Sequence, residues 1–431
     1  MTLSPSGRSS QQQHDDGSLT ASDTVTAEAP RLVTEPADGV PLVTDTPGGL
    51  AACAKALAGG TGPVAVDAER ASGIRYGQRA FLVQLKRTGA GIWLIDPEAF
   101  DDLSPLVAAL KGVEWILHAS TQDLPCLSEL GLWPDRLFDT ELAARLAGLP
   151  RVGLAAVLEH MLDVTLAKEH SAADWSTRPL PESWLTYAAL DVELLVELRE
   201  ALLALLESQG KREWAEQEFE HIRTTPVPGP REDPWRRTSG AHALKSRTQL
   251  AVLRELWQAR DDLARHRDIA PGRLLPDSAI VAAAKAQPRT VPQLRATQGF
   301  HGRAAGREAA RWVAAIKAGR DRAADGDAPE VHRRGRGDGP PQPRLWKDRS
   351  PEADARLRTA KPWVARHAAE IGMPTENLLT PDTLRRICWN PPAVVTPESV
   401  AETLAGLGAR PWQVEQTAAI LTVSFLNPMP V

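Results

Sequence analysis

At 431 residues, with 42% hydrophobic and 24% charged residues, the chain has ordinary globular composition and enough apolar residues for a core in each of about two to four domains. A net charge of −5 excludes a generally sticky polycation, although a mean can hide a basic half. Cys53, Cys126 and Cys388 lie far apart without zinc-site spacing and fit a reducing cytoplasm, no apolar run is long enough to span a membrane, and the N-terminus shows no secretory signal.

Residues 1–40 are polar and non-periodic and read as a disordered tail. Structure is expected to begin at Val40-Pro41-Leu42-Val43, followed by a helix from Leu50 to Ala58. The run Pro63-Val64-Ala65-Val66-Asp67-Ala68-Glu69 reads as a buried strand ending on two carboxylates. Because side chains alternate along a strand, Asp67 and Glu69 leave the same face, close enough to share one cation. Ala80 to Leu85 and Gly91 to Asp96 read as two strands of a hairpin. A helix from Leu103 to Leu110 precedes a strand from Glu114 to His118, and from there to about Ser208 the periodicity is mostly helical. Strands first, then helices packed on them, imply an α/β domain with a mixed sheet over residues 41–223.

Three prolines at 226, 228 and 230 mark a stiff spacer over 224–240. Residues 241–320 are wholly helical, 321–348 form a second linker rich in Gly, Pro and Arg, and 349–431 are helical again. Leu274-Leu275-Pro276-Asp277 matches Leu379-Thr380-Pro381-Asp382 at an offset of 105, so the two all-α regions read as copies of one unit.

Two further acidic positions complete the chemistry. Asp123, in His118-Ala119-Ser120-Thr121-Gln122-Asp123, follows a strand end near the carboxyl edge of the sheet, where open α/β sheets place their sites. Tyr187 and Asp191 are four apart and share one face of a helix. Upstream of them is the turn Asp174-Trp175-Ser176-Thr177-Arg178-Pro179-Leu180. Taken singly, each has a structural reading: a strand running into an acidic loop, a first-turn Asp, the wet side of a helix, a packed corner.

Together, the order Asp-x-Glu, Asp, Tyr-x-x-x-Asp resembles the DEDD exonucleases with a tyrosine in the last motif, and specifically the ribonuclease D family. The surrounding words match as well: His118-Ala119 with Gln122-Asp123-Leu124, Asp174-Trp175-Ser176 with Arg178-Pro179-Leu180, and Tyr187-Ala188-Ala189 with Asp191-Val192. Arg260-Asp261, Ala264-Arg265 and Asp268-Ile269-Ala270-Pro271 resemble an HRDC domain, a small helical nucleic-acid-binding module, and the last region resembles its divergent HRDC-like partner. No GxxxxGK[ST] loop exists to cradle a nucleotide cofactor, so an HRDC-bearing helicase is excluded. The sequence departs from the family at Trp184, where Gln is usual, and in Arg70-Ala71-Ser72-Gly73.

The resemblance implies a ribonuclease H-like exonuclease domain followed by two HRDC-type domains. It implies a 3′→5′ exoribonuclease using two divalent cations, Mg²⁺ or Mn²⁺, on RNA with a free 3′ end such as tRNA precursors, in the cytoplasm and as a monomer. Oxygen-only ligands suit those hard ions. By the same resemblance Asp67 bridges both ions, Glu69 and Asp191 complete the one carrying the attacking water, Asp123 holds the other, and Tyr187 orients the water. His118, Gln122, Trp175, Arg178, Arg260 and Arg265 are the expected nucleic-acid contacts. A DNA 3′→5′ exonuclease with the same site is one alternative, and a non-catalytic RNA-binding protein another. Four intact carboxylates speak against the second.

Overall fold

The computed structural model describes residues 29–167, 173–229, 231–302, 306–331 and 339–429. Residues 1–28 of the expected tail lie outside that set. Residues 29–40 do not behave as a tail, because Arg31–Val33 (β1) forms a parallel pair with Val164–Leu166 (β8).

A six-stranded mixed sheet organises the α/β domain, in the order β2 (Val43–Thr44), β5 (Gly91–Ile95), β4 (Ala80–Thr88), β3 (Thr61–Arg70), β6 (Glu114–Leu117), β7 (Arg136–Asp139). β3 pairs antiparallel with β4 and parallel with β6. It is central because Val64, Ala65, Val66 and Ala68 are buried between layers. The expected hairpin of β4 and β5 is present. β7 and β8 fall within the stretch read as helical. At four and three residues they carry too little alternation to be distinguished from helix by period.

Helices α1 (Pro47–Gly59), α2 (Ser104–Ala109), α3 (Leu124–Glu129), α4 (Thr140–Leu146), α5 (Leu154–Leu162), α6 (Glu182–Glu193), α7 (Leu195–Ser208) and α8 (Arg212–Thr224) cover the sheet. α6 packs on β3, β4 and β5 through Ala188 and Ala189, both fully buried. Small residues on that stripe let the helix approach closely, and its remaining polar groups meet the end of β3.

The first helical unit comprises α9 (Arg247–Arg267), α10 (Pro271–Leu274), α11 (Asp277–Ala286), α12 (Val291–Arg295) and α13 (Ala309–Ala324). Its separate core includes Leu253, Leu256, Ile280, Trp312 and Ile316. Gly319 on α13 lies against the backbone of Val252, where a Cβ would sit 2.5 Å from the Val252 Cα. Trp235, inside the expected spacer, is buried in this same core, so the unit begins earlier than the prolines suggest.

The second unit comprises α14 (Trp346–Arg349), α15 (Pro351–Glu370), α16 (Thr375–Leu378), α17 (Pro381–Trp389), α18 (Pro397–Gly406) and α19 (Pro411–Leu426). α10 and α16, each four residues long, end on extended C-caps at Leu275 and Leu379, followed by N-caps at Pro276 and Thr380. The repeated helix turn therefore aligns at an offset of 104, one less than the Leu-Pro-Asp words indicate, because Thr380 is inserted before Pro381.

The second unit shares one continuous core with the α/β domain. Trp214 on α8 stacks on Trp412 with centroids 5.0 Å apart, and Glu218 accepts from Trp412 Nε1 at 2.8 Å and Arg410 Nε at 2.6 Å.

Candidate active site

Asp67 and Glu69 leave β3 on the same side, and α6 brings Asp191 to them. One carboxylate oxygen from each lies within 4.8 Å of those of the other two. Tyr187, one turn earlier on α6, hydrogen-bonds Asp191 through its hydroxyl. Its ring leans on Trp175 with centroids 6.3 Å apart, and Trp184 packs on Trp175 at 5.5 Å. The Trp184 departure thus completes an aromatic wedge behind Tyr187.

Asp123 arrives by another route. β6 ends at Leu117, and Ala119 adopts a left-handed conformation, φ 59°, which turns the chain into the short helix Ser120–Gln122. A non-glycine residue holds that conformation only when its surroundings impose it. Asp139, at the end of β7 and buried, does so. It accepts from Ala119 N at 3.2 Å, Ser120 N at 2.8 Å and Ser120 Oγ at 2.6 Å, and caps α4 through Leu142 N at 3.0 Å. Asp123 then sits 6% exposed. Arg70 Nη2 lies 3.3 Å from its Oδ1, and Arg70 Nη1 donates to the Gln122 carbonyl at 2.7 Å.

Burial and mutual repulsion set the electrostatics. Burial pushes Asp67 up to about 6 and Asp123 up to about 8, with Asp67 adding to the rise at Asp123. Glu69 is pushed up to about 10 by burial and then by Asp67, Asp191 and Asp123. Asp191 rises well above the carboxylate range for the same reasons, and the Tyr187 hydroxyl is held neutral by burial and the neighbouring acids. Four carboxylates cannot all be charged here without added positive charge. An all-oxygen donor set of this kind fits hard divalent cations.

Asp67, Glu69, Asp123, Tyr187 and Asp191 therefore converge, whereas the expected nucleic-acid contacts mostly do not offer themselves. Trp175 has 0% exposure and no face on which a base could stack. All five donors of Arg178 are used within the protein: two on the Asp96 carboxylate at 2.6 and 2.8 Å, and three on the carbonyls of Trp175, Thr177 and Phe81. Arg260 is a buried strut to Asp277 at 2.7 Å and Leu275 O at 2.8 Å. His118 sits under the Asp123 turn with Nδ1 2.9 Å from Thr140 Oγ1. Arg265 lies at the seam between the first helical unit and the α/β domain, pairing with Asp261 at 2.8 Å and donating to the Tyr76 hydroxyl at 3.1 Å. Gln122 is exposed beside the site.

Sequence reasoning missed three residues. Asp139 carried no signal beyond being a lone acid before a helix. Arg70 follows Glu69, so alternation assigns it to the opposite face. A register shift between Glu69 and Arg70 in the β3–β4 ladder re-aims it. Gln84 lies directly opposite Asp67 on β4, fully buried with an unpartnered amide.

Comparisons with known proteins agree with this geometry. Residues 43–207 match a family described as 3′-5′ exonuclease, 249–316 an HRDC domain, and 339–425 a 3′ to 5′ exonuclease C-terminal domain. Ribonuclease D of Acidiphilium cryptum is 31% identical over 68% of this chain and 75% of its own length. Ribonuclease D of Escherichia coli is 34% identical over 54% of this chain, and the match spans 62% of that relative's length. Its solved structure, described as an exoribonuclease involved in structured RNA processing, superposes with a TM-score of 0.63 at 26% identity, covering 85% of this chain and 98% of that one. A protein from Bifidobacterium adolescentis superposes with a TM-score of 0.82 at 41% identity over 92% of this chain and 100% of its own.

Proposed function

The chain belongs to the ribonuclease D family, and from that premise we propose that it is a 3′→5′ exoribonuclease releasing 5′-mononucleotides from RNA ends. The observation that carries this reading is the convergence of Asp67, Glu69, Asp191 and Asp123 with the Tyr187 hydroxyl from three separate elements. Asp67, Glu69 and Asp191 would hold one divalent cation, and Asp67 with Asp123 the other, either Mg²⁺ or Mn²⁺. When bound, such ions would supply an activated water and offset charge on the leaving oxygen.

Tyr187 stays protonated at neutral pH, so its part is to aim the water by hydrogen bonding rather than to accept a proton. Asp139 fixes the Asp123 turn, and the Trp175–Trp184 wedge fixes the phenol. The protein acts in this reading as a monomer on structured RNA tails, tRNA precursors among them. Among the described residues no helix is long and apolar enough to cross a membrane.

The test is digestion of a 3′-hydroxyl RNA oligomer with Mg²⁺, beside a 3′-phosphate-blocked copy and the same sequence in DNA. Stepwise release of 5′-mononucleotides from the free RNA end is expected. Internal cleavage, or preference for DNA, overturns the reading.

A further inference from the structure

Among the described residues, Arg70 is the one cationic side chain that forms an ion pair with the acidic cluster. Its guanidinium grips the Asp123 turn with two prongs, Nη1 on the Gln122 carbonyl at 2.7 Å and Nη2 on Asp123 Oδ1 at 3.3 Å. The Asp123 side chain is 8% exposed, that of Arg70 24%. The other three acids form a tight group to which Asp123 does not belong. The two halves of the site thus differ in contact: among the described residues an ion pair with a cationic side chain reaches Asp123, and none reaches the other three acids.

We propose that Arg70 is an internal counter-cation for Asp123, competing with the second metal ion and yielding the carboxylate when a phosphate group arrives. The inference rests on the metal-dependent reading above. Planar guanidinium donors suit carboxylate and phosphate oxygens equally, so a terminal phosphate offers Arg70 an alternative partner of the same geometry. An arginine on a strand end can exchange partners by side-chain rotation, without backbone movement. The consequence is ordered filling: the Asp67–Glu69–Asp191 half takes a cation readily, and the Asp123 half takes one only with phosphate present.

Mn²⁺ titration of the metal-stripped full chain by calorimetry, with and without AMP as phosphate probe, tests this directly. Wild type should bind one Mn²⁺ tightly and a second at least about tenfold more weakly, and AMP should tighten the second. Arg70→Gln should tighten the second site about tenfold without AMP and abolish the AMP effect; Arg70→Lys should lie between. In an Asp123→Asn background, Arg70→Gln should change Mn²⁺ binding no further. Unchanged second-site affinity in Arg70→Gln, or an equal gain in the Asp123→Asn background, overturns the proposal. Should Arg70→Gln not fold, the Arg70→Lys titration decides, and wild-type affinity for the second ion then refutes it. Asp67→Asn is the control for the underlying site: if it binds Mn²⁺ like wild type, the metal reading itself fails, whatever Arg70 does.

Discussion

Arg79 and Asp268 join two domains that the chain separates by nearly two hundred residues. Arg79 Nη1 and Nη2 donate to the two Asp268 carboxylate oxygens at 3.0 and 2.8 Å. Around this pair, Tyr76 N donates to Asp268, the Tyr76 hydroxyl donates to Asp261, Ala270 N donates to Ile74 O, and Arg273 Nε donates to Gly73 O. Every partner on the α/β side lies between Gly73 and Arg79, in the loop that leaves β3 just after Glu69. The first helical unit is therefore fastened to the rim of the acidic site. Asp268→Asn keeps a residue tolerant of the left-handed C-cap, φ 48°, and removes the charge. It should cost about 1 kcal/mol and raise amide hydrogen exchange across residues 71–79. Unaltered exchange there would show that the ion pair does not hold the loop.

Asp67→Asn and Asp191→Asn each remove a candidate cation ligand and one carboxylate from a repelling cluster. Nucleotide release should fall by at least about a thousandfold. Melting temperature in EDTA should hold or rise, since the charge removed is one the folded site disfavours. A large fall in melting temperature would show that these side chains serve the fold.

The metal-free protein should lose stability as pH rises. Asp67, Asp123 and Glu69 have folded values of about 6, 8 and 10, above their ordinary values of 3.8, 3.8 and 4.5. A group that binds its proton more tightly when folded stabilises the fold below its unfolded value and loses that contribution as pH climbs through the folded one. The window therefore opens near pH 4 and extends through 6 and 8 towards 10. Melting curves in EDTA should fall across it, and Mg²⁺ should flatten them. Cation affinity should rise over the same range, because binding displaces protons.

Tyr187→Phe keeps the ring that packs on Trp175 and deletes the hydroxyl that meets Asp191. Turnover should drop by about ten- to a hundredfold, with Mn²⁺ affinity within about twofold of wild type. A comparable loss of metal affinity would assign the phenol to the cation site instead.

Trp412→Ala should destabilise the α/β domain as well as the second helical unit, because both share one core. Removing a fully buried Trp costs about 3–5 kcal/mol, and here it also takes the indole donor from Glu218, leaving that carboxylate to Arg410. One cooperative denaturation transition for both, shifted by that amount, is the expected result. The first helical unit, with its own core, should melt separately.

The sequence by itself determined the five residues that converge at the candidate site and the α/β-then-helical order. Asp67 and Glu69 are two apart on a Val-rich strand, and Tyr187 and Asp191 are four apart on a helix, so local periodicity alone aims each pair. Tertiary structure decided what depends on residues distant in the chain. Trp175, Arg178 and Arg260 read as exposed contacts because their types suit nucleic acid, yet packing buries the first and saturates the donors of the second. Arg260 is likewise turned inward, onto Asp277 and Leu275. Arg70 went the other way: a local register shift, invisible to strict alternation, turned it onto a carboxylate from another element. Asp139 and β7 were illegible because four residues hold too few alternations to declare a strand, and the turn they support lies twenty residues earlier. Periodicity reports which way a side chain leaves its own element, and only the packed fold determines what it meets there.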